Sequence, residues 1–190
     1  GFLAAQGLGA ETLQARNPRC VAASLSGFGH TGPRAGLASY DIVAQAAGGL
    51  LAMTGFSDGP PVRGGGALGD FVGGLYLALG IAAALLERER TGVARVLDVS
   101  NQDAIFAVTD SAVSIFEAIG APTERLGNQH PFTAPYDCFE ARDGWVVVAT
   151  ASNKLFRALC AAIGRPELGT DERYRTHRSR AARRAEINAR

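Results

Sequence analysis

Among the acidic residues of this sequence, Asp70 has the surroundings of a reactive one. It ends the run Gly64-Gly65-Gly66-Ala67-Leu68-Gly69 and is followed at once by Phe71-Val72-Gly73-Gly74 and an apolar stretch to Leu86. Glycine lets a second backbone or a bulky ligand approach closely and lets the chain take positive φ, so this carboxylate is one that a substrate can reach. Two uses of an Asp fit the place where a flexible loop turns into a helix. It caps the helix by accepting from the first free N–H groups, the commoner use, or it acts as a nucleophile, because a reachable carboxylate can attack an acyl carbon. The helix dipole favours negative charge in either case.

The other chemistry-bearing residues form no comparable cluster. His30, His130 and His177 are dispersed, and Cys20, Cys138 and Cys160 are odd in number with no C-x-x-C pair. Neither a metal site nor a disulfide framework is expected, and a reducing cytoplasm is the compartment that fits. The net charge of +1 provides no global field for nucleic acid or an anionic membrane. The apolar run Phe71–Leu86 contains three glycines and stops short of the roughly 20 residues of a membrane span, so it reads as a buried core helix. The start, Gly1-Phe2-Leu3, has no signal-peptide pattern, and both ends read as internal to a longer polypeptide. Between Arg165 and Arg190, eight arginines face four acids. No aromatic platform is interleaved with them, which favours a solvated helical surface over a phosphate-binding face.

The elements that position Asp70 follow from pattern. A short helix over Glu11–Arg16 stops at Asn17-Pro18, and Cys20–Leu25 has the length and apolarity of a buried strand. That strand runs into the glycine-rich loop Ser26–Pro33, where open α/β sheets bind ligands. Ser39 is expected to cap a helix from Tyr40 to about Ala47, ended by Gly48-Gly49. The irregular Met53–Gly66 connection then leads to the Asp70 helix, which closes at Gly92. Val96–Ser100 reads as a second strand and Asn101–Ile119 as one helix ended by Gly120. Beyond Pro122 the texture changes: Tyr136–Glu140 and Trp145–Ala149 flank Arg142-Asp143-Gly144, a hairpin signal. Ser152 caps a following helix to about Ile163, stopped by Gly164-Arg165-Pro166. The expectation is α/β layering over residues 1–120 and a smaller α+β segment over 121–190.

Taken together, Tyr40-Asp41-Ile42-Val43-Ala44-Gln45-Ala46-Ala47-Gly48-Gly49, Thr54-Gly55-Phe56-Ser57-Asp58-Gly59-Pro60-Pro61 and Ala67-Leu68-Gly69-Asp70 resemble the class III CoA-transferase family, which includes formyl-CoA transferase. Arg88-Glu89-Arg90-Thr91-Gly92, Leu97-Asp98-Val99 and Gly127-Asn128-Gln129-His130-Pro131 continue the match across nearly all 190 residues. The resemblance implies chains about twice as long, with this one matching their middle. It implies a partial Rossmann-like large domain followed by part of a small α+β domain, within a fold that forms interlaced homodimers.

For chemistry, the resemblance implies CoA transfer between an acyl-CoA and a carboxylic acid, with Asp70 as the nucleophile. CoA enters as substrate, and no metal or tightly bound cofactor is needed. Backbone N–H groups from Gly69 to Phe71 are candidate oxyanion donors. Tyr40, Ala38, Gly69, Asn101, Gly127, Asn128 and His130 are implied as substrate or CoA contacts. Tyr40 is either such a contact or an aromatic packed at a helix start. Ala38 stands where some members carry a basic residue, so a CoA-phosphate contact is absent there or supplied elsewhere. His130 lines the acyl pocket or is hydrogen-bonded within its loop. The formyl-CoA/oxalate members have a four-glycine loop where this chain has Gly127–Pro131, which argues against oxalate specificity.

Three other readings compete. The related α-methylacyl-CoA racemase pairs its Asp with a His where this chain has Tyr40. A phenol, which titrates near about 10, is a poor proton acceptor, so transfer is preferred over racemisation. A nucleotide-binding loop fails because Asp70-Phe71 occupy the places where G-x-x-x-x-G-K-[ST] needs Lys and Ser/Thr. A non-catalytic CoA-binding or dimerisation fragment is the third.

Overall fold

The computed structural model describes residues 2–189, without the side chains of Phe2 and Asp110; Gly1 and Arg190, the last of the eight arginines above, lie outside the described residues. The chain divides into two compact units. One runs to Thr54 and resumes over Pro60–Arg125; the other takes Gly55–Gly59 and continues from Leu126.

The first unit contains α1 (Phe2–Ala5), α2 (Ala10–Arg16), β1 (Ala22–Ser26), α3 (Asp41–Ala47), α4 (Leu50–Met53), α5 (Leu68–Thr91), β2 (Val96–Ser100), α6 (Asn101–Val108) and α7 (Asp110–Ile119). Strands β1 and β2 pair in parallel, from Ala22 opposite Val96 to Ser26 opposite Ser100. Parallel pairing requires a long crossover, and α3, α4 and α5 supply it. Helix α5 packs on β1, β2, α3 and α6.

The face that α5 uses for this packing is made of small residues. Gly69, Gly73 and Ala84 are its buried positions, and a Cβ at Gly80 would sit 3.4 Å from Leu97 Cδ1. Phe71, Leu75 and Leu79 point outward and are exposed. The expected core helix is therefore buried within this chain only along its glycine-alanine stripe, because close packing on β1, β2 and α6 leaves no room for larger side chains on that face. With its charged last turn the helix reaches 24 residues and is long and apolar enough to cross a membrane by length and composition, whereas the apolar run alone is shorter than the roughly 20 residues of a span.

Two further expectations are corrected. The helix after β2 is not continuous from Asn101 to Ile119. It breaks at Thr109, whose N–H and hydroxyl both donate to the Phe106 carbonyl, at 3.0 and 2.8 Å. A β-branched residue bonding back to the preceding turn competes with the helical ladder. Nor does Ser39 cap α3. Tyr40 holds the N-cap position with no side-chain cap, and Ser39 Oγ donates instead to the Tyr40 carbonyl.

The second unit begins with the hairpin β3 (Tyr136–Ala141) and β4 (Gly144–Ala149), paired antiparallel across Arg142-Asp143. Helix α8 (Asn153–Ala162) follows, capped by Ser152, whose Oγ accepts from the Leu155 N–H at 3.1 Å. Two 3-10 turns, Pro166–Gly169 and Glu172–Tyr174, lead to α9 (His177–Ala182) and α10 (Arg184–Asn188). Thr176 and Ser179 form a capping box at the start of α9. Ala134, Phe156, Cys160, Leu168, Tyr174 and Ile187 make the core of this unit.

Arg180 enters that core at 0% exposure, so the arginine-rich segment is not wholly the solvated surface expected. Its guanidinium donates to the carbonyls of Ala134 and Tyr174 and to Asn153 Oδ1, and it stacks 4.6 Å from the Phe156 ring centre. Arg165, Arg173 and Arg175 behave as expected, pairing at the surface with Glu167, with Asp171 and Glu186, and with Glu172.

Candidate functional site

Asp70 lies in the first turn of α5 but does not cap it. The helix begins at Leu68, two residues before Asp70, after Gly66 takes φ +74°, and the N-cap residue Ala67 has no capping side chain. The cap comes from another helix: Asp41 Oδ1 accepts the Gly69 N–H at 2.7 Å. This leaves the exposed Asp70 carboxylate with one hydrogen bond among the described residues, from Asn101 Nδ2 to Oδ1 at 2.9 Å. Its Oδ2 accepts none among them.

Asp41, Asp70 and Asn101 stand in the first turns of α3, α5 and α6, three helices that pack on one another. Helix starts concentrate partial positive charge, so their convergence suits both the resident carboxylate and a negative charge developing on substrate. Close approach depends on glycine. A Cβ at Gly73 would lie 2.1 Å from Asn101 Oδ1, and one at Gly69 would lie 3.1 Å from Ala44 Cβ.

A buried polar network fixes the loop before Asp70. Gln45 Nε2 donates to Asp41 Oδ2 at 2.8 Å, and Gln45 Oε1 accepts the Gly64 N–H at 3.0 Å. Arg63 pairs with Asp41 at 3.4 Å. Asp41 and Gln45 are both buried and tie the glycine run to α3 at each end. Both residues lie within the motif that resembles the class III family, but the resemblance itself does not announce this role. The available signal was two hydrogen-bonding side chains at i, i+4, one face of an otherwise apolar helix.

At the end of β1, the Ser26–Pro33 loop is held by Asp98, whose Oδ2 accepts the His30 N–H at 2.8 Å. Tyr40 precedes Asp41 and is 83% exposed, so it is not packed within this chain; Ala38 is exposed beside it. Of the three candidate oxyanion N–H groups, Gly69 donates to Asp41 and Phe71 to the Ala67 carbonyl. Only Asp70 N–H has no hydrogen bond among the described residues.

Gly127, Asn128 and His130 belong to the second unit. Gly127, at φ +62°, donates to the Gly55 carbonyl and lies against Phe56, where a Cβ would come within 2.6 Å of the ring. Asn128 is exposed. His130 is half-buried, its Nδ1 accepts from the Phe132 N–H at 3.2 Å, and its ring meets Tyr136. Arg184 donates to the carbonyls of His130 and Pro131 and secures this loop. Among the described residues no three His, Cys, Asp or Glu are grouped to hold a metal ion.

The sequence matches the profile of CoA-transferase family III over residues 1–190. It is 44% identical over 183 residues to the acetyl-CoA:oxalate CoA-transferase of Acetobacter aceti, covering 96% of this chain and 47% of that protein. To the succinyl-CoA–D-citramalate CoA-transferase of Chloroflexus aurantiacus it is 38% identical, covering 99% of this chain and 47% of that one. The fold superposes on a crystal structure of a CaiB/BaiF family protein from Brucella suis with a TM-score of 0.84 at 38% identity, covering 100% of this chain and 50% of that one. The chain spans about half the length of the curated relatives it matches.

Proposed function

The chain belongs to CoA-transferase family III, and from that premise we propose that the whole protein moves CoA between carboxylic acids through covalent intermediates on Asp70. The observation that carries this reading is the state of the Asp70 carboxylate: exposed, backed by glycine, with Oδ1 held by Asn101 and Oδ2 free among the described residues. Oδ2 attacks the thioester carbon of the acyl-CoA, and the C–S bond breaks with its electron pair leaving on CoA thiolate, giving a mixed anhydride. The thiolate then attacks Asp70 Cγ and breaks the Cγ–Oδ2 bond, which releases the donor acid and leaves an aspartyl-CoA thioester. An incoming carboxylate attacks the same Cγ and expels the thiolate. The thiolate in turn attacks the acceptor's acyl carbon and restores Asp70. No proton changes hands. Tyr40 in place of an imidazole offers no second base for racemisation.

The acceptor class proposed is a small dicarboxylic acid. The relatives described above are named for oxalate and D-citramalate, both dicarboxylates. The Gly127–Pro131 loop argues against oxalate and the first of those names argues for it, so oxalate belongs in the substrate panel. The whole protein is further proposed to be a homodimer, which light scattering at micromolar concentration tests.

The deciding experiment incubates the full-length enzyme with acetyl-CoA or succinyl-CoA and a panel of dicarboxylates. CoA exchange is followed by chromatography, and the trapped enzyme by mass spectrometry. A CoA adduct on Asp70, absent from Asp70→Asn, is the expected result. Undiminished exchange in Asp70→Asn removes Asp70 from the mechanism.

A further inference from the structure

We propose that Asn101 is a catalytic residue of this site, the oxyanion donor for the tetrahedral intermediates that form on the enzyme's own Asp70 carboxyl carbon. The inference rests on the reading of Asp70 as the nucleophile and assigns it a partner. Because Asn101 Nδ2 donates to Oδ1, Oδ2 is the oxygen that attacks and becomes the bridging atom of the anhydride. Oδ1 is then its carbonyl oxygen. When CoA thiolate adds to Cγ, the π electrons of that carbonyl move onto Oδ1, 2.9 Å from the Asn101 amide nitrogen. They return as the Cγ–Oδ2 bond breaks. The same oxygen carries the charge when the acceptor carboxylate adds to the aspartyl-CoA thioester. One preorganised donor thus serves both attacks on Cγ, at the distance such stabilisation requires.

The surroundings of Asn101 separate this role from a structural one. Capping of α6 is already done by Ser100, whose Oγ accepts the Asp103 N–H at 3.0 Å, so the helix start does not need the Asn101 side chain. Asn101 is buried, yet its own Oδ1 has no hydrogen-bond partner among the described residues, whereas a buried amide kept for stability normally satisfies both ends. Its one side-chain hydrogen bond among the described residues goes to Asp70. Gly73 makes room for it, since a Cβ there would lie 2.1 Å from Asn101 Oδ1. The neighbouring N–H groups are engaged as well, Gln102 with the Gly27 carbonyl and Asp103 with Ser100.

The test uses the full-length enzyme with succinyl-CoA or acetyl-CoA and no acceptor. Formation of the Asp70-CoA adduct is followed by rapid quench and mass spectrometry, beside acyl-CoA affinity. In Asn101→Ala and Asn101→Ser the adduct is expected to form about 10²–10³-fold more slowly, the cost of losing one oxyanion donor, while acyl-CoA binds as in the wild type. Adduct formation at the wild-type rate overturns the inference, and so does a slowing that merely tracks lost affinity. Should both variants fail to fold, the wild-type adduct labelled with ¹³C at the Asp carboxyl decides. Its thioester carbonyl stretch is expected below that of the same adduct in unfolded protein, and equal frequencies overturn the assignment. A wild-type enzyme that carries no adduct on Asp70 overturns the nucleophile reading itself, whereas a normal Asp70 adduct in the Asn101 variants overturns only the role given to Asn101.

Discussion

Asp41 and Gly69 meet across 28 residues of chain, the carboxylate of one accepting the backbone N–H of the other at 2.7 Å. The helix that carries Asp70 is therefore capped from outside, and Asp70, at its third position, has no capping role. Gln45 and Arg63 hold the second oxygen of Asp41, so the capping carboxylate is itself oriented.

Asp41→Ala should unfold at lower denaturant, by about 1–3 kcal/mol, because it removes a cap and leaves Gln45 without its acceptor in a buried site. Asp41→Asn keeps an acceptor oxygen for Gly69 and should lose less. Urea titration of both variants checks the order; equal loss in the two would show that the charge matters rather than the cap.

Asp70→Asn should change folding stability by no more than about 0.5 kcal/mol, as expected of an exposed side chain without a capping role. In the full-length enzyme it should abolish transfer while acyl-CoA still binds, since an amide oxygen does not form the anhydride. Thermal melts and exchange assays on one preparation measure both.

Gly73→Ala should be worse than the addition of one methyl suggests. The new Cβ would lie 2.1 Å from Asn101 Oδ1, so either α5 or Asn101 must shift, at a cost of about 1–3 kcal/mol. Transfer in the full-length enzyme should fall with it. Gly74→Ala, one residue on and facing open space, is the control and should leave transfer nearly unchanged.

In the second unit, Arg180→Ala should cost about 3–5 kcal/mol, because it strips buried carbonyls of Ala134 and Tyr174 of their donor and empties the space over Phe156. Burial also pulls the Arg180 guanidinium below its ordinary range. Circular dichroism melts of Arg180→Ala beside the exposed control Arg175→Ala test the difference.

Burial pushes the Cys160 thiol above its ordinary value of 9.0. The folded state keeps that proton where the unfolded chain gives it up, so the associated stability is complete below the unfolded pKa and is lost as pH rises through and beyond it. Ellman's reagent at pH 8 should label Cys20 and Cys138 well before Cys160. Replacing Cys160 with Ala should flatten the alkaline loss of stability.

Local chemistry alone carried a good part of the fold. The hairpin at Arg142-Asp143-Gly144, the Ser152 cap of α8 and the glycine stops at Gly92 and Gly120 all follow from residues within a few positions of the feature they set. The carboxylate set among glycines at Asp70 was legible for the same reason, as was the resemblance, since ordered motifs are read along the chain. Tertiary structure decided what those residues touch. Nothing near Gly69 announces that Asp41 caps it, and nothing near Asp70 announces Asn101, 31 positions away. Local chemistry therefore offers capping as one of two uses of Asp70, makes Ser39 a cap, leaves Tyr40 a contact or a packed aromatic, and makes α5 a buried helix. In the folded chain Asp41 takes the capping role, the small-residue face of α5 takes the packing, and Arg180 finds carbonyls in the core rather than solvent. Hydrogen-bond propensity is a property of neighbouring residues, but which donor meets which acceptor is fixed by the packing of whole helices, and only that packing sets the Asn101 amide against the Asp70 carboxylate.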